Sequence, residues 1–451
     1  MSFQNKRILV LGAGISGISV AAILQSLGAK VTLSDTRPRQ LIDKDFSKLE
    51  TLGVSLVLGS QDESLLAGID CVVLSPGVSI YIPLIKAAKA KEIQVISEVE
   101  VAYQLCKAPI IAVTGTNGKT TTTTLLGEML KTTYKDVVIG GNIGQALSQE
   151  VAMVGDSGIV IAEISSFQLE AALSFRPKIA VILNITPDHI DRHRTMNTYI
   201  KMKEKIFAKQ TLNDFIILNY DDDIVRNMAN KAQSKVVFFS RKTVLTSGVF
   251  VQDDIIKINW NGDVISICSV ADLQIKGAHN IENALAACGA AFLAGVKAHE
   301  MARVLRGFIG VEHRIEPVVT IKGVQYYNDS KATNPESAIK ALEAFSGGVI
   351  LIAGGRDKKT DLTEFMKLVK EKVRHLILIG EASDRFRESA IQQGVKNISC
   401  VVDMKSAVRL AHEFAREKEV VLLSPACSSY DMFKNYEERG RAFKNFVQQL
   451  A

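Results

Sequence analysis

Pro109-Ile110-Ile111-Ala112-Val113-Thr114-Gly115-Thr116-Asn117-Gly118-Lys119-Thr120-Thr121 passes from a β-branched run into a glycine-punctuated loop and then into helix-forming sequence. A strand that delivers a glycine loop to a helix N-terminus makes a cradle for a triphosphate, because the N–H groups there have no partner within the helix. Gly115, Thr116, Asn117, Gly118 and Thr121 supply that backbone. Lys119 is long enough to reach the outer phosphates, and the Thr120 hydroxyl suits magnesium. The spacing, G-x-x-G-K-T, is shorter than the common G-x-x-x-x-G-K-[ST] pattern, so the strand-loop-helix context carries the reading.

Outward from this loop, short β-branched runs alternate with amphipathic segments of helix length, which predicts parallel sheets covered by helices. The expected fold class is α/β in three domains. Residues 1–98 form an N-terminal Rossmann-like domain, with strands at Arg7 to Leu11, Lys30 to Ser34, Cys71 to Leu74 and Gln94 to Ser97. Residues 99–311 form the central mononucleotide-binding domain around the quoted loop, with further strands at Gly158 to Glu163, Lys178 to Ile185 and Phe215 to Asn219. Alternation from Val249 to Val270 around Asn261-Gly262 adds an antiparallel hairpin to that sheet. Residues 312–451 form a C-terminal Rossmann-like domain, with strands at Val324 to Asn328, Val349 to Ala353, Leu376 to Ile379 and Val420 to Leu423.

A second glycine motif, Gly12-Ala13-Gly14-Ile15-Ser16-Gly17, follows the first strand and opens a helix, and Asp35 closes the next strand. This is the dinucleotide fingerprint, but its physics specifies a diphosphate rather than a particular nucleotide. With a second phosphate loop downstream and no hydride-transfer constellation, NAD is not expected. Asp35, Thr36 and Arg37 are placed to meet a uridine or ribose and to counter phosphate charge.

Three more segments fall at strand ends. Glu163 precedes Ser165-Ser166-Phe167-Gln168 and is read as a magnesium ligand beside the phosphate loop. Asp188-His189-Ile190-Asp191-Arg192-His193 admits a zinc site, a helix cap or a second-metal ligand at His189, and the last fits a two-metal phosphoryl site. The helix-like run from Tyr199 offers Lys201, Lys203 and Lys205, and nothing in the residues separates them.

Composition narrows the class. The 54 basic and 48 acidic residues are interspersed, so the net charge of +6 builds no long basic tract and no nucleic-acid partner is expected. Cys71, Cys106, Cys268, Cys288, Cys400 and Cys427 are scattered without metal-ligand spacing, which reads as reduced thiols in a cytoplasmic protein. No run of apolar residues reaches membrane-spanning length, so neither a membrane span nor a signal peptide is expected. A monomer acting on small molecules is the expected state.

Taken together, GTNGKTTT, Gly140-Gly141-Asn142-Ile143-Gly144, EISSFQLE, NITPDHIDRH, GAHNIENALAA from Gly277, His313-Arg314, NDSKATN from Asn328 and SPACSSYDMFKNYEERG from Ser424 resemble the Mur ligase family along essentially the whole chain. NDSKATN and the Ser424 run are similar to the D-glutamate-adding branch, although Tyr436 stands where that branch commonly has Phe. The resemblance implies an ATP-dependent ligase that joins D-glutamate to UDP-N-acetylmuramoyl-L-alanine through an acyl phosphate, with two magnesium ions. It implies that Ile15, Ser16, Asp35, Thr36, Arg37 and Gly77 line a UDP pocket, with Asn142 and His189 on the muramoyl-alanine part. ATP contacts are implied for Asn117, Gly118, Lys119, Thr120, Asn283, Arg314, Asp329 and Lys331. Thr120 and Glu163 are implied to hold one magnesium; His189 and a carbamylated Lys203, favoured over Lys201 by its spacing from Tyr199, are implied to hold the other. Lys119, His189 and Lys203 would be the catalytic residues, and Thr333, Lys358, Ser429 and Tyr430 would receive D-glutamate.

Overall fold

The computed structural model describes residues 3–42, 44–275, 277–357 and 359–450, and for Asp191 the backbone only. Its first sheet is parallel throughout and comprises β1 (Arg7–Leu11), β2 (Lys30–Asp35), β3 (Ser55–Leu58), β4 (Cys71–Leu74) and β5 (Gln94–Ser97), in the order β3-β2-β1-β4-β5. Alternate side chains bury on opposite faces: Ile8, Val10 and Val73 in one core, Leu9, Leu11, Val72 and Leu74 in the other. Because strand order reverses between β1 and β4, their carboxyl ends splay into a crevice. The helix Ile15–Ser26 leaves from that crevice, and a Cβ on Gly17 would lie 1.8 Å from the Gly12 carbonyl oxygen, so this contact admits only glycine.

The central sheet adds β6 (Ile110–Thr114), β7 (Val137–Gly141), β8 (Ile159–Glu163), β9 (Ile179–Ile182), β10 (Phe215–Asn219), β11 (Lys235–Ser240), β12 (Gly248–Gln252), β13 (Ile255–Trp260) and β14 (Asp263–Ser269). The order is β14-β13-β12-β11-β10-β9-β6-β8-β7, parallel except for β12-β13-β14. The expected hairpin at Asn261-Gly262 is therefore the β13–β14 turn of a three-stranded meander, whose first strand joins the parallel sheet through β11. β6, β8 and β9 are buried along their whole length, which explains their unbroken apolar sequence. β6 lies between β8 and β9, so its carboxyl end meets those of Glu163 and of the segment after Ile182.

The third sheet contains β15 (Glu316–Ile321), β16 (Val324–Asn328), β17 (Val349–Gly354), β18 (Val373–Ile379), β19 (Ile398–Cys400) and β20 (Val420–Leu423), in the order β15-β16-β20-β17-β18-β19. Only the β15–β16 pair is antiparallel. Pairing of β16 with β20 puts the segments after Asn328 and Leu423 side by side. The chain divides into two compact units, one of residues up to Asp272 with Glu282–Arg306, the other of Leu273–Ile281 with the residues from Gly307 onward. Among the described residues no helix is long and apolar enough to cross a membrane. All six cysteines are free thiols; four are buried, Cys106 is half-buried and Cys400 is exposed.

Candidate active site

In the first unit, β6 runs into the glycine loop and the helix Lys119–Leu130 begins at once. Gly118 takes the left-handed conformation (φ 84°), and a Cβ there would sit 2.2 Å from Asn283 Oδ1, so the loop can close over this position only as glycine. Asn283, expected at the nucleotide, is buried and accepts a hydrogen bond from Thr122 Oγ1 at 3.3 Å. The loop is also braced from the next strand end. Asn184 Oδ1 accepts from Asn117 N at 2.9 Å and its Nδ2 donates to Asn117 O at 3.1 Å. Thr116 Oγ1 lies 3.1 Å from both Thr186 O and the Tyr199 hydroxyl. Asn184 and Tyr199 fall outside the expected site residues, since no local pattern marks a loop brace so distant in sequence.

Two amines meet at this loop. Lys119 Nζ donates to the carbonyls of Gly115 (2.9 Å) and Thr116 (2.8 Å), and Lys203 Nζ donates to the same Gly115 carbonyl at 2.8 Å. Lys203 is 1 % exposed, whereas Lys201 faces solvent. Burial, and then the charge of Lys119, push the Lys203 pKa well below the ordinary lysine value, against the opposing pull of Asp188 and Glu163. A buried amine whose charged form is disfavoured, beside a phosphate loop, is chemically unlike the solvated Lys201 of the same helix.

Glu163 ends β8 and is 2 % exposed. Its Oε1 accepts from Asn142 Nδ2 at 2.8 Å, while Asn142 N donates to Glu163 O at 2.8 Å, so the Gly140-Gly141-Asn142 turn is folded onto this carboxylate. Among the described residues Glu163 Oε2 has no hydrogen-bond partner. A buried carboxylate oxygen is costly to leave unsatisfied, and a hard cation is the ligand that satisfies it best. The donor set of Glu163 and the Thr120 hydroxyl therefore fits magnesium.

His189 has left-handed backbone (φ 54°) and packs its ring 4.6 Å from that of Phe167. Its Nε2 is 3.5 Å from Asp188 Oδ2, and Asp188 Oδ1 accepts the His189 N–H at 2.9 Å. His193 is buried, with Nε2 2.9 Å from Ser166 Oγ and Nδ1 3.6 Å from Glu170. The zinc alternative finds no support here: among the described residues, the only set of three metal-type side chains close enough to share an ion is Glu312, His313 and Glu316. Lys444 Nζ already bridges the two glutamates of that set at 2.7 and 2.9 Å.

The crevice of the first sheet holds a cavity of about 680 Å³. Ile15, Ser16, Asp35, Thr36, Arg37 and Gly77 all line it, as do Gln61, Ser75 and Ser79, which the glycine motif does not reveal. That volume suits a nucleotide-sized ligand. Asp35 accepts from Ala13 N (2.8 Å) and from Arg37 N and Nε (2.9 Å each), and the Arg37 guanidinium holds its carboxyl down to about 2. Asp35 thus stays charged and fixes the glycine loop as well as facing the cavity. Asn142 and His189 lie with the phosphate loop's neighbours rather than on this cavity wall.

In the second unit, Asp329 follows β16 and is fully buried. It accepts from Ser424 Oγ (2.8 Å) and Ile315 N (3.2 Å), with Arg314 Nη1 at 3.9 Å. Lys331 Nζ lies 5.4 Å over the Tyr436 ring, Ser429 is buried and Tyr430 is exposed. Thr333 N donates to Lys331 O at 2.9 Å. Lys358 lies outside the described residues. Arg439, unmarked in the sequence beyond its motif, is buried and ties Ser330 to the Cys427 carbonyl.

Burial raises the Asp329 pKa from 3.8 to about 6, with Arg314 and Ser424 only partly opposing it. The folded chain then holds a proton that the unfolded chain releases. Stability from this group is complete below about pH 4 and is lost as pH rises through about 6. Asp329→Asn should flatten this part of the unfolding-midpoint profile between pH 4 and 8 and stabilise the chain at pH 8 by up to about 3 kcal/mol. Parallel profiles for the two proteins would contradict the assignment.

Three domain families match successive stretches of the chain. The domain family described as "Mur ligase MurD-like, N-terminal domain" matches residues 6–97, "Mur ligase middle domain" matches 113–291, and "Mur ligase, glutamate ligase domain" matches 313–427. The chain is 45% identical over 452 residues, covering 100% of both chains, to the UDP-N-acetylmuramoylalanine--D-glutamate ligase of Thermoanaerobacter sp. (strain X514). It is 45% identical over 448 residues, covering 99% of this chain and 98% of the relative, to the same-named ligase of Pelotomaculum thermopropionicum. Among solved structures, the UDP-N-acetylmuramate-alanine ligase MurC of Thermotoga maritima superposes with a TM-score of 0.62 at 20% identity, covering 99% of this chain and 100% of that one. A MurF ligase of Thermotoga maritima in complex with ADP gives 0.60 at 17%, covering 99% and 96%. At these identities the structures speak for the fold alone.

Proposed function

The chain belongs to the Mur ligase family, and we propose that it joins the alanine carboxylate of UDP-N-acetylmuramoyl-L-alanine to the amine of D-glutamate with ATP, in peptidoglycan precursor synthesis. Identity to ligases of that name along the full length carries the reaction. The observation that carries the chemistry is the meeting of Lys119 and Lys203 at the Gly115 carbonyl, next to a strand whose terminal Glu163 has an oxygen unsatisfied among the described residues. Residues 1–98 are assigned to the UDP end of the substrate, 99–311 to ATP and 312–451 to the amino acid.

A carboxylate is a poor electrophile and repels a triphosphate. Lys119 and the loop N–H groups lower that repulsion, so a carboxylate oxygen can attack the γ-phosphorus, forming an acyl phosphate and releasing ADP. The D-glutamate nitrogen then attacks the acyl carbon. The tetrahedral intermediate collapses by expelling phosphate, leaving the amide. His189 or a neighbouring aspartate accepts the proton the amine gives up. Positioning does most of the work: Asn142 and His189 orient the muramoyl-alanine arm, and Asn117, Gly118, Asn283, Arg314, Asp329 and Lys331 contact ATP. Thr333, Lys358, Ser429 and Tyr430 take D-glutamate, the lysine meeting a carboxylate.

Thr120 and Glu163 would hold one magnesium, and His189 with Lys203 a second, supplying charge neutralisation of the triphosphate when bound. For that role the neutral Lys203 amine adds to carbon dioxide: an N–C bond forms, one proton leaves and a carbamate carboxylate results. Oxygen tracing tests the acyl phosphate. With ¹⁸O in the alanine carboxylate, released phosphate should carry one labelled oxygen, and unlabelled phosphate would refute the mechanism.

A further inference from the structure

We propose that Arg192 is a positioning residue that ties the wall of the first-sheet cavity to the segments carrying Glu163 and His189, setting the span between the substrate's diphosphate anchor and its reacting carboxylate. The proposal rests on the reading of the reaction given above.

Arg192 uses all five of its N–H donors. Nη1 donates to Pro76 O (3.0 Å) and Gly77 O (3.4 Å), Nη2 to Val78 O (2.8 Å) and Glu170 Oε2 (2.6 Å), and Nε to Glu170 Oε1 (3.0 Å). Pro76, Gly77 and Val78 are consecutive residues of the cavity wall. Glu170 is 2 % exposed and Arg192 12 %, so this is a sheltered pair whose disruption deprives a buried carboxylate of its guanidinium partner.

The other ends of the network reach the reaction centre. Glu170 lies seven positions after Glu163, on the turn that follows the capped helix Ser166–Leu169, and its carbonyl is held by Lys205 Nζ at 2.7 Å. The Arg192 guanidinium stacks 4.1 Å over the Phe167 ring, and that ring also packs 4.6 Å from the His189 ring. Arg194 adds a second tie, 4.5 Å over the Tyr81 ring beyond the wall. One planar fork thus joins the wall that would seat a diphosphate to both segments that face the phosphate loop. A lysine offers three donors from a single point and cannot reproduce this pattern.

The test uses Arg192→Gln, Arg192→Lys and Glu170→Gln in the full chain. Hydrogen exchange at residues 76–82 should accelerate at least tenfold in Arg192→Gln, whatever the substrate. With UDP-N-acetylmuramoyl-L-alanine, kcat should fall roughly 10- to 100-fold, since a misplacement of about 1 Å costs on that order. UDP affinity and the KM for ATP should change less than about threefold on the same argument, Arg192→Lys should not rescue, and Glu170→Gln should show the same split more weakly. Unchanged exchange in the 76–82 loop, or kcat within twofold of the parent, would overturn the clasp. So would equal losses of kcat, UDP affinity and ATP use, which mark a general folding defect; Glu170→Gln decides the matter if the arginine variants do not fold. A parent enzyme that makes no product with D-glutamate would instead overturn the reaction, while the exchange result still judges the clasp.

Discussion

Lys119→Ala will lower kcat roughly 1,000-fold with little change in the unfolding midpoint, because the side chain's work is electrostatic. In the folded chain Lys119 Nζ rests on the Gly115 and Thr116 carbonyls at 2.9 and 2.8 Å. The Gly115 carbonyl keeps a donor after the substitution, since Lys203 still donates to it, and only the Thr116 carbonyl loses its lysine. What is lost is the mobile positive charge over the outer phosphates at the moment a carboxylate approaches them. Removing one preorganised donor from a developing anion costs about 100- to 1,000-fold, and here a full charge is removed. Steady-state phosphate release with a thermal melt on the same sample measures both quantities; turnover within tenfold of the parent would show that the loop is not the reaction centre.

Lys203→Arg should be about as damaging, on the order of 100-fold or more in kcat, while Lys201→Gln should stay within about twofold because the Lys201 side chain is exposed to solvent. The contrast is sharp because arginine keeps the charge that lysine would carry in water. If Lys203 acted as a cation, arginine would substitute in part. Burial and the neighbouring Lys119 instead favour its neutral form, the form that adds to carbon dioxide. Activity of the parent should fall in carbon-dioxide-free buffer and return with bicarbonate, and the Lys203→Arg protein should not respond. A fully active arginine variant would remove the carbamate from the account.

The sequence made legible those features whose physics is local. The loop after β6, the fingerprint after β1 and the buried strands β6, β8 and β9 are written in runs of a dozen residues, and their places follow from strand-end geometry. The strands absent from the expected set are mostly edges: β3, β7, β15 and β19 border their sheets, are partly solvated and carry mixed sequence. β11, with its KVVFFS run, is a plain omission, for that pattern reads as a strand. Among site residues, the cavity wall of Ile15, Ser16, Asp35, Thr36, Arg37 and Gly77 follows from the motif and the resemblance. Asn184 on Asn117 and Arg192 on Pro76 to Val78 do not, because their contacts join segments 67 and more than 100 residues apart. Burial likewise separates Lys203 from Lys201, which the charged helix sequence leaves equivalent.

The central claim is that this chain couples ATP cleavage to one amide bond. The most direct measurement is phosphate release with UDP-N-acetylmuramoyl-L-alanine, ATP and magnesium, run against D-glutamate, L-lysine, meso-diaminopimelate and L-alanine. Release matched mole for mole by product with D-glutamate, and near background with the other three or with no amino acid, is the predicted result. Equal release with another of these amino acids, or steady release with none, would contradict it.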